Sequence, residues 1–223
     1  MNRILIIAAH PDDDILGCGG IINKYKNICE FKVIFIAEGS TCRFEDPNSI
    51  GAQQDVQNRN SMGVKALQYL GINNFNFYNL PCGRLDQTPQ ITINKIIENT
   101  IKEFKPDTVF THTNIDSNKD HHKVYDATII ATRPGSGVDR VYSYEVLSST
   151  EWGFKQSFTP NVFFALEKED ILAKWESLKF YESEIKSFPY PRSKEGILSL
   201  ARFRGMQSGN DFAESFQLIR ENK

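Results

Sequence analysis

The length, composition and charge of the chain narrow its class before any motif is considered. Its 223 residues suit one domain, because single domains commonly hold about 100–200 residues. Hydrophobic residues make up 40% and charged residues 24% of the chain, which excludes disordered, collagen-like and coiled-coil proteins. The 26 Lys and Arg residues against 28 Asp and Glu residues give a formal net charge of -2, so nucleic acid is not an expected partner.

The first half of the chain alternates strands and helices. Apolar runs predict strands over residues 3–9, 31–37, 75–80 and 108–111, and helical patterns follow them at 15–25, 55–70, 91–104 and 120–132. This order predicts an α/β fold of the Rossmann-like, doubly wound type, with a mostly parallel sheet and helices on both faces.

The pattern is weaker after Arg133, where strands are predicted at 141–146 and 162–166 and helices at 171–185 and 194–207. No linker interrupts the chain. We therefore expect a single domain over residues 1–223, with a Rossmann-like core at 1–133 and a C-terminal part at 134–223 that completes the pocket. Polar loops at 40–52 and 187–193 are candidates for lining that pocket.

Cysteine spacing and hydropathy indicate the cellular compartment in which the protein is expected. The four cysteines, at positions 18, 29, 42 and 82, contain no C-x-x-C pair and are too widely spaced for a disulfide framework or a zinc knuckle. The apolar run at residues 4–9 stops at His10 and is too short for a membrane span or a signal peptide. We therefore expect a cytoplasmic protein with no membrane partner.

A first cluster of polar residues comes directly after the first predicted strand, in the run His10-Pro11-Asp12-Asp13-Asp14. Ligands of open α/β sheets bind outside the carboxyl ends of strands, which makes this a candidate site. At three-residue spacing, His10 and Asp13 are able to direct a ring nitrogen and a carboxylate oxygen at one zinc ion. The alternative is structural, because Asp at the start of a helix is often a cap or a partner of the helix dipole.

A second cluster follows the fourth predicted strand and holds His112, His121 and His122, so that this loop and His10 together account for all four histidines. If the strands are parallel, both loops lie at the same edge of the sheet. Two histidines and one carboxylate that leave a coordination position open are the pattern of a catalytic zinc, whereas a structural zinc has four protein ligands. The sequence therefore predicts metal-dependent hydrolysis.

These residues resemble a known family. The run A-H-P-D-D-x-x-L-G-C-G-G at residues 9–20 and the run D-x-N-x-D-H at residues 116–121 are similar to motifs of the LmbE-like (PIG-L) zinc deacetylases. The helix at 59–71 resembles that family too, and segments 204–205 and 213–216 resemble members tied to polysaccharide biosynthesis. The resemblance implies hydrolysis of N-acetyl groups on glucosamine-type sugars, with one zinc ion per chain as cofactor.

Carried over by position, the resemblance makes His10, Asp13 and His121 the metal ligands and Asp12 the general base. Three positions depart from the family pattern: Asp14 replaces a usual Glu, Met62 replaces a frequent Glu, and Asn118 replaces a His of some relatives. The last departure leaves open which residue protonates the leaving amine. The candidates are Asp12 itself, His112, His122 and Asp116.

Arg59, Asp86 and Asp116 are the predicted substrate-binding residues. For Arg59 and Asp86 the competing interpretation is an exposed helix charge and a turn carboxylate. Glycines 17, 19 and 20 do not predict a nucleotide cradle, because Ile22 takes the place of the last glycine in G-x-G-x-x-G and the acidic triplet would repel a pyrophosphate. Close helix packing explains those glycines better.

We expect zinc-dependent hydrolysis of the N-acetyl group of a soluble N-acetylhexosamine derivative, which releases acetate and a free amino sugar. One alternative is a zinc amidohydrolase that acts on another acyl group or on a non-sugar amine. A second alternative is a non-catalytic binding module whose histidines and carboxylates only support the fold. The partner is a small-molecule sugar, and the sequence leaves open whether chains associate into a homo-oligomer.

Overall fold

A seven-stranded sheet forms the centre of the protein in a computed structural model that describes residues 1–222. The strands are β1 (Arg3–Ala8), β2 (Glu30–Ala37), β3 (Phe75–Leu80), β4 (Thr108–His112), β5 (Arg140–Tyr144), β6 (Val162–Leu166) and β7 (Phe212–Glu221). The α-helices are α1 (Asp13–Tyr25), α2 (Ile50–Tyr69), α3 (Gln90–Phe104), α4 (Lys119–Ala131), α5 (Lys168–Leu178) and α6 (Lys194–Ser208). Short 3-10 helices span Thr41–Arg43 and Thr150–Trp152.

The strand order is β3-β2-β1-β4-β5-β7-β6, which confirms the predicted mostly parallel α/β architecture. Strands β1 to β5 pair in parallel, and only β7 runs antiparallel to its neighbours β5 and β6. The chain proceeds outward from β1 in one direction and from β4 in the other. Because ligand crevices of doubly wound sheets open where the order reverses, the carboxyl ends of β1 and β4 mark the expected site.

Helices cover both faces of the sheet, and alternate residues of β1 enter two separate cores. Ile4 and Ile6 pack with residues of α1, α2, α5 and α6 on one face. Leu5 and Ile7 pack with residues of α3 and α4 on the other face. This burial on both sides explains why β1 reads as an unbroken apolar run rather than as an alternating one.

Two helices differ from their predicted bounds by three or more residues at one or both ends, and one strand was not predicted. Helix α2 begins at Ile50 instead of residue 55, because Ser49 accepts the backbone N–H of Ala52 and caps the helix there. The helix predicted at 171–185 was wrong at both ends, since α5 covers Lys168–Leu178 and the chain then turns. Strand β7 was not predicted. Within residues 1–222, no helix has the length and apolar character that crossing a bilayer requires.

Candidate metal centre and active site

The first candidate loop is a tight turn between β1 and α1. The backbone N–H of His10 donates to Asp13 Oδ2 over 2.8 Å, and His10 Nδ1 lies 3.2 Å from the same oxygen. Between them, Asp12 has a backbone φ of 121°, in a region that residues with a Cβ rarely adopt. Backbone strain of this kind persists only where the surrounding structure holds it, and it clusters at functional sites.

His121 approaches the same point from helix α4. Asn118 caps that helix, because its side chain accepts the backbone N–H of Asp120 over 2.9 Å. His121 then places its Nε2 atom 3.3 Å from Asp13 Oδ2. One donor atom from each of His10, Asp13 and His121 lies within 4.8 Å of the others, and all three residues are buried. The three residues nominated as ligands are thus brought together.

The donor atoms of this triad fit a divalent metal ion. Within residues 1–222, His121 Nε2 is buried without a hydrogen-bond partner. An unsatisfied buried polar atom is costly, and a metal ion would satisfy it. Two imidazole nitrogens and one carboxylate oxygen are ligands that Zn²⁺ accepts, and three protein ligands leave one coordination position open.

Carboxylates around the triad favour positive charge at its centre. Burial opposes the shift, but Asp120 and Asp13 raise the pKa of His10 to about 10. Burial also opposes the second shift, but Asp13 and Asp116 raise the pKa of His121 to about 9. The negative potential that favours an imidazolium also favours a bound divalent cation.

Each histidine of the triad turns its second ring nitrogen to a carboxylate. His10 Nε2 lies 3.0 Å from Asp120 Oδ2, and His121 Nδ1 lies 3.1 Å from Asp116 Oδ2. Carboxylates in this position fix the orientation and the tautomer of metal-ligating histidines. Asp120 was not among the predicted site residues, although the D-x-N-x-D-H motif contains it.

Asp116 makes its contacts within the protein. Ser149 donates to Oδ1 of Asp116, and Thr150 donates to Oδ2 over 2.7 Å. Burial opposes the shift, but hydrogen bonds from His121 and Ser149 lower the pKa of Asp116 to about 2. Its carboxylate is therefore ionised at neutral pH and has no proton to give to a leaving amine.

The buried carboxylate of Asp12 has very different surroundings from that of its neighbour Asp13. Its Oδ2 atom accepts hydrogen bonds from Arg59 over 2.8 Å and from Arg192 over 2.7 Å. Burial raises the pKa of Asp12, and the two guanidinium groups oppose that shift. Among the described residues, no group donates a hydrogen bond to Oδ1, so this oxygen is free to accept a proton.

A network of ion pairs holds the two arginines. Glu184 pairs with Arg59, lies 3.2 Å from Arg192 and lies 2.8 Å from Arg43. Burial opposes the shift, but Arg59 and Arg43 lower the pKa of Glu184 to about 2. Sequence analysis named the loop at 187–193 as candidate pocket lining without singling out Arg192, and it missed Glu184, because no motif marks either residue. Arg59 is only 4% exposed, so its contacts are with Asp12 and Glu184 rather than with bulk solvent.

The other two histidines are committed elsewhere. His112 Nε2 accepts the backbone N–H of Ala9 over 2.8 Å, which requires a neutral ring. Burial, reinforced by the nearby His121, lowers the pKa of His112 well below its usual value. His122 Nε2 lies 2.8 Å from the carbonyl oxygen of Asp116 and therefore donates to it. Neither ring belongs to the ligand triad.

Two of the remaining predicted positions lie away from the triad. Asp86 is an exposed turn residue and is not among the described residues that line the pocket around the triad. Met62 packs at the edge of the core. Asp14 is buried within α1, and burial raises its pKa to about 8, so its carboxyl group is largely protonated at neutral pH.

The pocket around the triad draws on both halves of the chain. Its lining from residues 1–133 includes His10, Asp12, Asp13, Gly39, Cys42, Arg43, Arg59, Cys82, Ser117, Asn118 and His121. The chain after residue 133 adds Ser148, Ser149, Trp152, Glu184 and Arg192. All four cysteines are free thiols, and two that are far apart in sequence meet in this lining, where Cys42 Sγ lies 2.9 Å from Cys82 Sγ.

Comparisons with known proteins point to one family. The profile of the GlcNAc-PI de-N-acetylase (PIG-L) family matches residues 5–132. Over 188 residues, the chain is 29% identical to the uncharacterized deacetylase YaiS of Escherichia coli strain K12, a match that covers 81% of this chain and 90% of that protein.

Solved structures share the fold. N,N'-diacetylchitobiose deacetylase from Pyrococcus horikoshii matches with a TM-score of 0.78 and 18% identity, over 98% of this chain and 84% of that one. The 4-carboxy-2-hydroxymuconate hydratase GalB from Pseudomonas putida KT2440 matches with a TM-score of 0.74 and 18% identity, over 100% and 98%. One fold thus serves a deacetylase and a hydratase, so the reaction must be argued from the site.

Proposed function

The chain belongs to the GlcNAc-PI de-N-acetylase (PIG-L) family, and from that premise we propose that it hydrolyses the N-acetyl group of an N-acetylhexosamine derivative. The products are acetate and a free amino sugar. The observation that carries this proposal is the juxtaposition of the buried donor triad His10, Asp13 and His121 with the unpaired Oδ1 atom of Asp12 in one pocket.

The donor set favours zinc as the cofactor, held by His10, Asp13 and His121. Mg²⁺ and Ca²⁺ prefer sites built from oxygen atoms, whereas imidazole nitrogen suits Zn²⁺. A divalent ion bound there supplies Lewis-acid polarisation of the acetyl carbonyl and makes a nearby water more acidic. Asp120 and Asp116 orient the two imidazoles from behind.

Asp12 acts as the general base through its Oδ1 atom. The two guanidinium groups on Oδ2 hold the carboxylate in place, and its raised pKa brings it closer to the range in which a base is effective at neutral pH. The proton that Asp12 takes from water then passes to the leaving nitrogen. This second role falls to Asp12 because His112, His122 and Asp116 are all committed to other contacts.

Of the three residues predicted to bind substrate, we assign two to the positioning of other side chains and leave one as a prediction. We assign Arg59 and Asp116 positioning roles toward Asp12 and His121, because their contacts are with those side chains. Contact of Asp86 with substrate stays a prediction, as do the carrier of the sugar, the place in polysaccharide biosynthesis and the cytoplasmic location.

Acetate release from a panel of compounds tests the proposal. The zinc-loaded protein is given N-acetylglucosamine, its glycosides and its nucleoside diphosphate derivative, beside N-formyl sugars and N-acetylamino acids. We expect turnover of N-acetylated sugars and little turnover of the controls. Activity confined to the controls would instead favour the alternative amidohydrolase. Hydration of an unsaturated carboxylate without acetate release would place the protein with GalB in reaction type.

A further inference from the structure

Two thiols that are 40 positions apart in sequence meet in the wall of the pocket around the donor triad. Cys42 lies in the 3-10 helix after β2, and Cys82 follows β3. Their Sγ atoms are 2.9 Å apart, and both residues are free thiols. Cys42 is exposed and Cys82 is buried, so a solute in the pocket reaches the sulfur of Cys42 more readily than that of Cys82.

Two features hold the segments that carry these thiols close together. The buried carboxylate of Glu38 accepts the backbone N–H of Thr41 over 2.9 Å and that of Cys82 over 2.8 Å. Gly83 has a backbone φ of 68°, and a Cβ atom at this position would lie 3.1 Å from the Cβ atom of Cys42. A glycine therefore lets the backbone after Cys82 approach Cys42 closely. The fold thus fixes the two sulfur atoms beside each other.

The segment that carries Cys82 also supports the metal centre. The backbone N–H of Gly83 donates to Asp120 Oδ2 over 2.6 Å, and the N–H of Leu85 donates to Oδ1 over 3.1 Å. Asp120 Oδ2 also lies 3.0 Å from Nε2 of His10, and so orients this ring of the donor triad. A displacement of the segment at Cys82 therefore reaches His10 through one carboxylate.

We propose that Cys42 and Cys82 form a reversible disulfide, driven by a low-molecular-weight disulfide as oxidant, and that this bond weakens metal binding at the donor triad. A covalent bond brings the two sulfur atoms closer than their separation of 2.9 Å, so the segment of Cys82 shifts toward Cys42. The shift disturbs the hydrogen bond from Gly83 to Asp120 and, through it, the orientation of His10.

Two exchange steps balance the reaction. The thiolate of Cys42 attacks one sulfur of the oxidant, which forms a mixed disulfide and releases a first small thiolate. The thiolate of Cys82 then attacks the Cys42 sulfur and releases a second one. The protons lost by the two cysteines end on the two released thiolates. Two protein thiols are thus oxidised by two electrons, while one small disulfide is reduced to two thiols.

Weaker support for His10 predicts weaker metal binding in the oxidised protein. Removing a side chain that orients a metal-ligating histidine typically lowers metal affinity by about 10-fold to 100-fold. Gly83 acts on His10 only through Asp120, so we expect roughly 10-fold, the lower end of that range. This effect rests on the metal centre of the proposed function, whereas disulfide formation does not depend on the metal or on the reaction.

Incubation of the zinc-loaded protein with glutathione disulfide in the absence of air tests the proposal. The wild type should lose two hydrogens in intact mass, and digestion should yield a peptide that links Cys42 to Cys82. After removal of glutathione, competition with a chromogenic chelator should show a zinc affinity roughly 10-fold lower in the oxidised protein than in the reduced one. Treatment with a phosphine reductant should restore both the mass and the affinity.

Three serine variants identify the thiols involved. Cys82→Ser should stop at the mixed disulfide with glutathione. Cys42→Ser should form no internal disulfide and keep its zinc affinity, and its exposed position keeps the test available if Cys82→Ser does not fold. Cys29→Ser is the matched control and should respond like the wild type, because Cys29 donates to the Met1 carbonyl oxygen and does not line the pocket.

A wild type that keeps its mass, or that retains glutathione on Cys42, would overturn the proposal. Equal zinc affinity in the oxidised and reduced forms would refute the effect on the metal centre. Absence of zinc binding in the reduced wild type would refute the proposed metal centre itself, and the intact mass would still decide whether the disulfide forms.

Discussion

The loop after β1 and the segment after α5 meet at Asp12, but they differ in how much of their role the sequence reveals. The loop supplies His10, Asp12 and Asp13, and the types and spacing of His10 and Asp13 make it a candidate metal site from sequence alone. The later segment supplies Glu184 and Arg192, and Arg192 lies 180 positions from the carboxylate that it holds. Reactive groups are thus recognisable from local pattern, whereas the groups that position them become visible only in the fold.

The largest effect on metal content and activity is expected from removing one of the three proposed ligands His10, Asp13 and His121. His121→Ala takes away a buried imidazole nitrogen, so the protein should lose the zinc held by His10, Asp13 and His121, and its activity should fall to background. His122→Ala is the matched control, because its ring donates to a backbone carbonyl and is not aimed at the triad. Elemental analysis of both variants checks this, and zinc retained at wild-type level in His121→Ala would remove that residue from the ligand set.

The Asp12→Asn variant distinguishes a general-base role of Asp12 from a role in metal binding. The change removes a proton acceptor and keeps the size of the side chain, so kcat should fall by roughly 10²-fold to 10⁴-fold while zinc stays bound. Asp126→Asn, an exposed position on α4, serves as the control with unchanged kcat. The roles of Asp12 and Asp13 would have to be exchanged if Asp12→Asn lost zinc and Asp13→Asn kept it.

The Arg192→Met variant tests whether the segment after α5 contributes to the catalytic rate. A hydrogen bond to a charged group is worth about 1.5–3 kcal/mol, so losing this one should lower kcat by roughly 10-fold to 100-fold. Zinc content should not change, because Arg192 contacts Asp12 and Glu184 rather than the ligand triad. Arg133→Met, on the surface, is the control. Steady-state kinetics would refute the positioning role if both variants matched the wild type.

The smallest effect concerns acid stability. The folded-state pKa of Glu184 is lowered to about 2, so its ionised form stabilises the fold above its usual pKa. That contribution is lost as pH falls through the folded value, between about pH 5 and pH 2. In Glu184→Gln the free energy of unfolding should therefore depend less on pH across this window. Urea unfolding at several pH values measures this, with the exposed Glu182→Gln as control; equal slopes in all three proteins would contradict it.

The fold was predictable where a strand coincides with a local apolar run or an alternating apolar pattern. Strands β3 and β6 have the predicted bounds, and β1 and β2 each differ from their predicted bounds by one residue at one end. Strand β7 was missed because Glu214 and Ser215 read as solvent-facing residues. Glu214 is nevertheless buried, because it pairs with Lys174 over 2.7 Å and accepts the backbone N–H of Gly20 over 2.9 Å. Long-range pairing of this kind leaves no periodic signal.

The candidate site was likewise predictable only in part. The loop at 9–14 and the motif at 116–121 nominate the donor triad because their residue types suit a metal ion and their sequences resemble the motifs of a known family. Other contacts depend on which loops the sheet brings together. These are the contacts of Asp116 with His121, of Arg59 with Asp12 and of Cys42 with Cys82. Sequence alone therefore assigned Asp116 and Arg59 to the substrate, while the structure places them against other protein side chains.

Hydrolysis of an N-acetylhexosamine in oxygen-18 water tests metal-dependent deacetylation most directly. Water attack on the acetyl carbonyl leaves one labelled oxygen in the released acetate. We predict labelled acetate from the zinc-reconstituted protein and none above background from the metal-free protein or from zinc-loaded His121→Ala. Acetate released at equal rates with and without metal, or no acetate from any N-acetylated sugar, would contradict the proposed function.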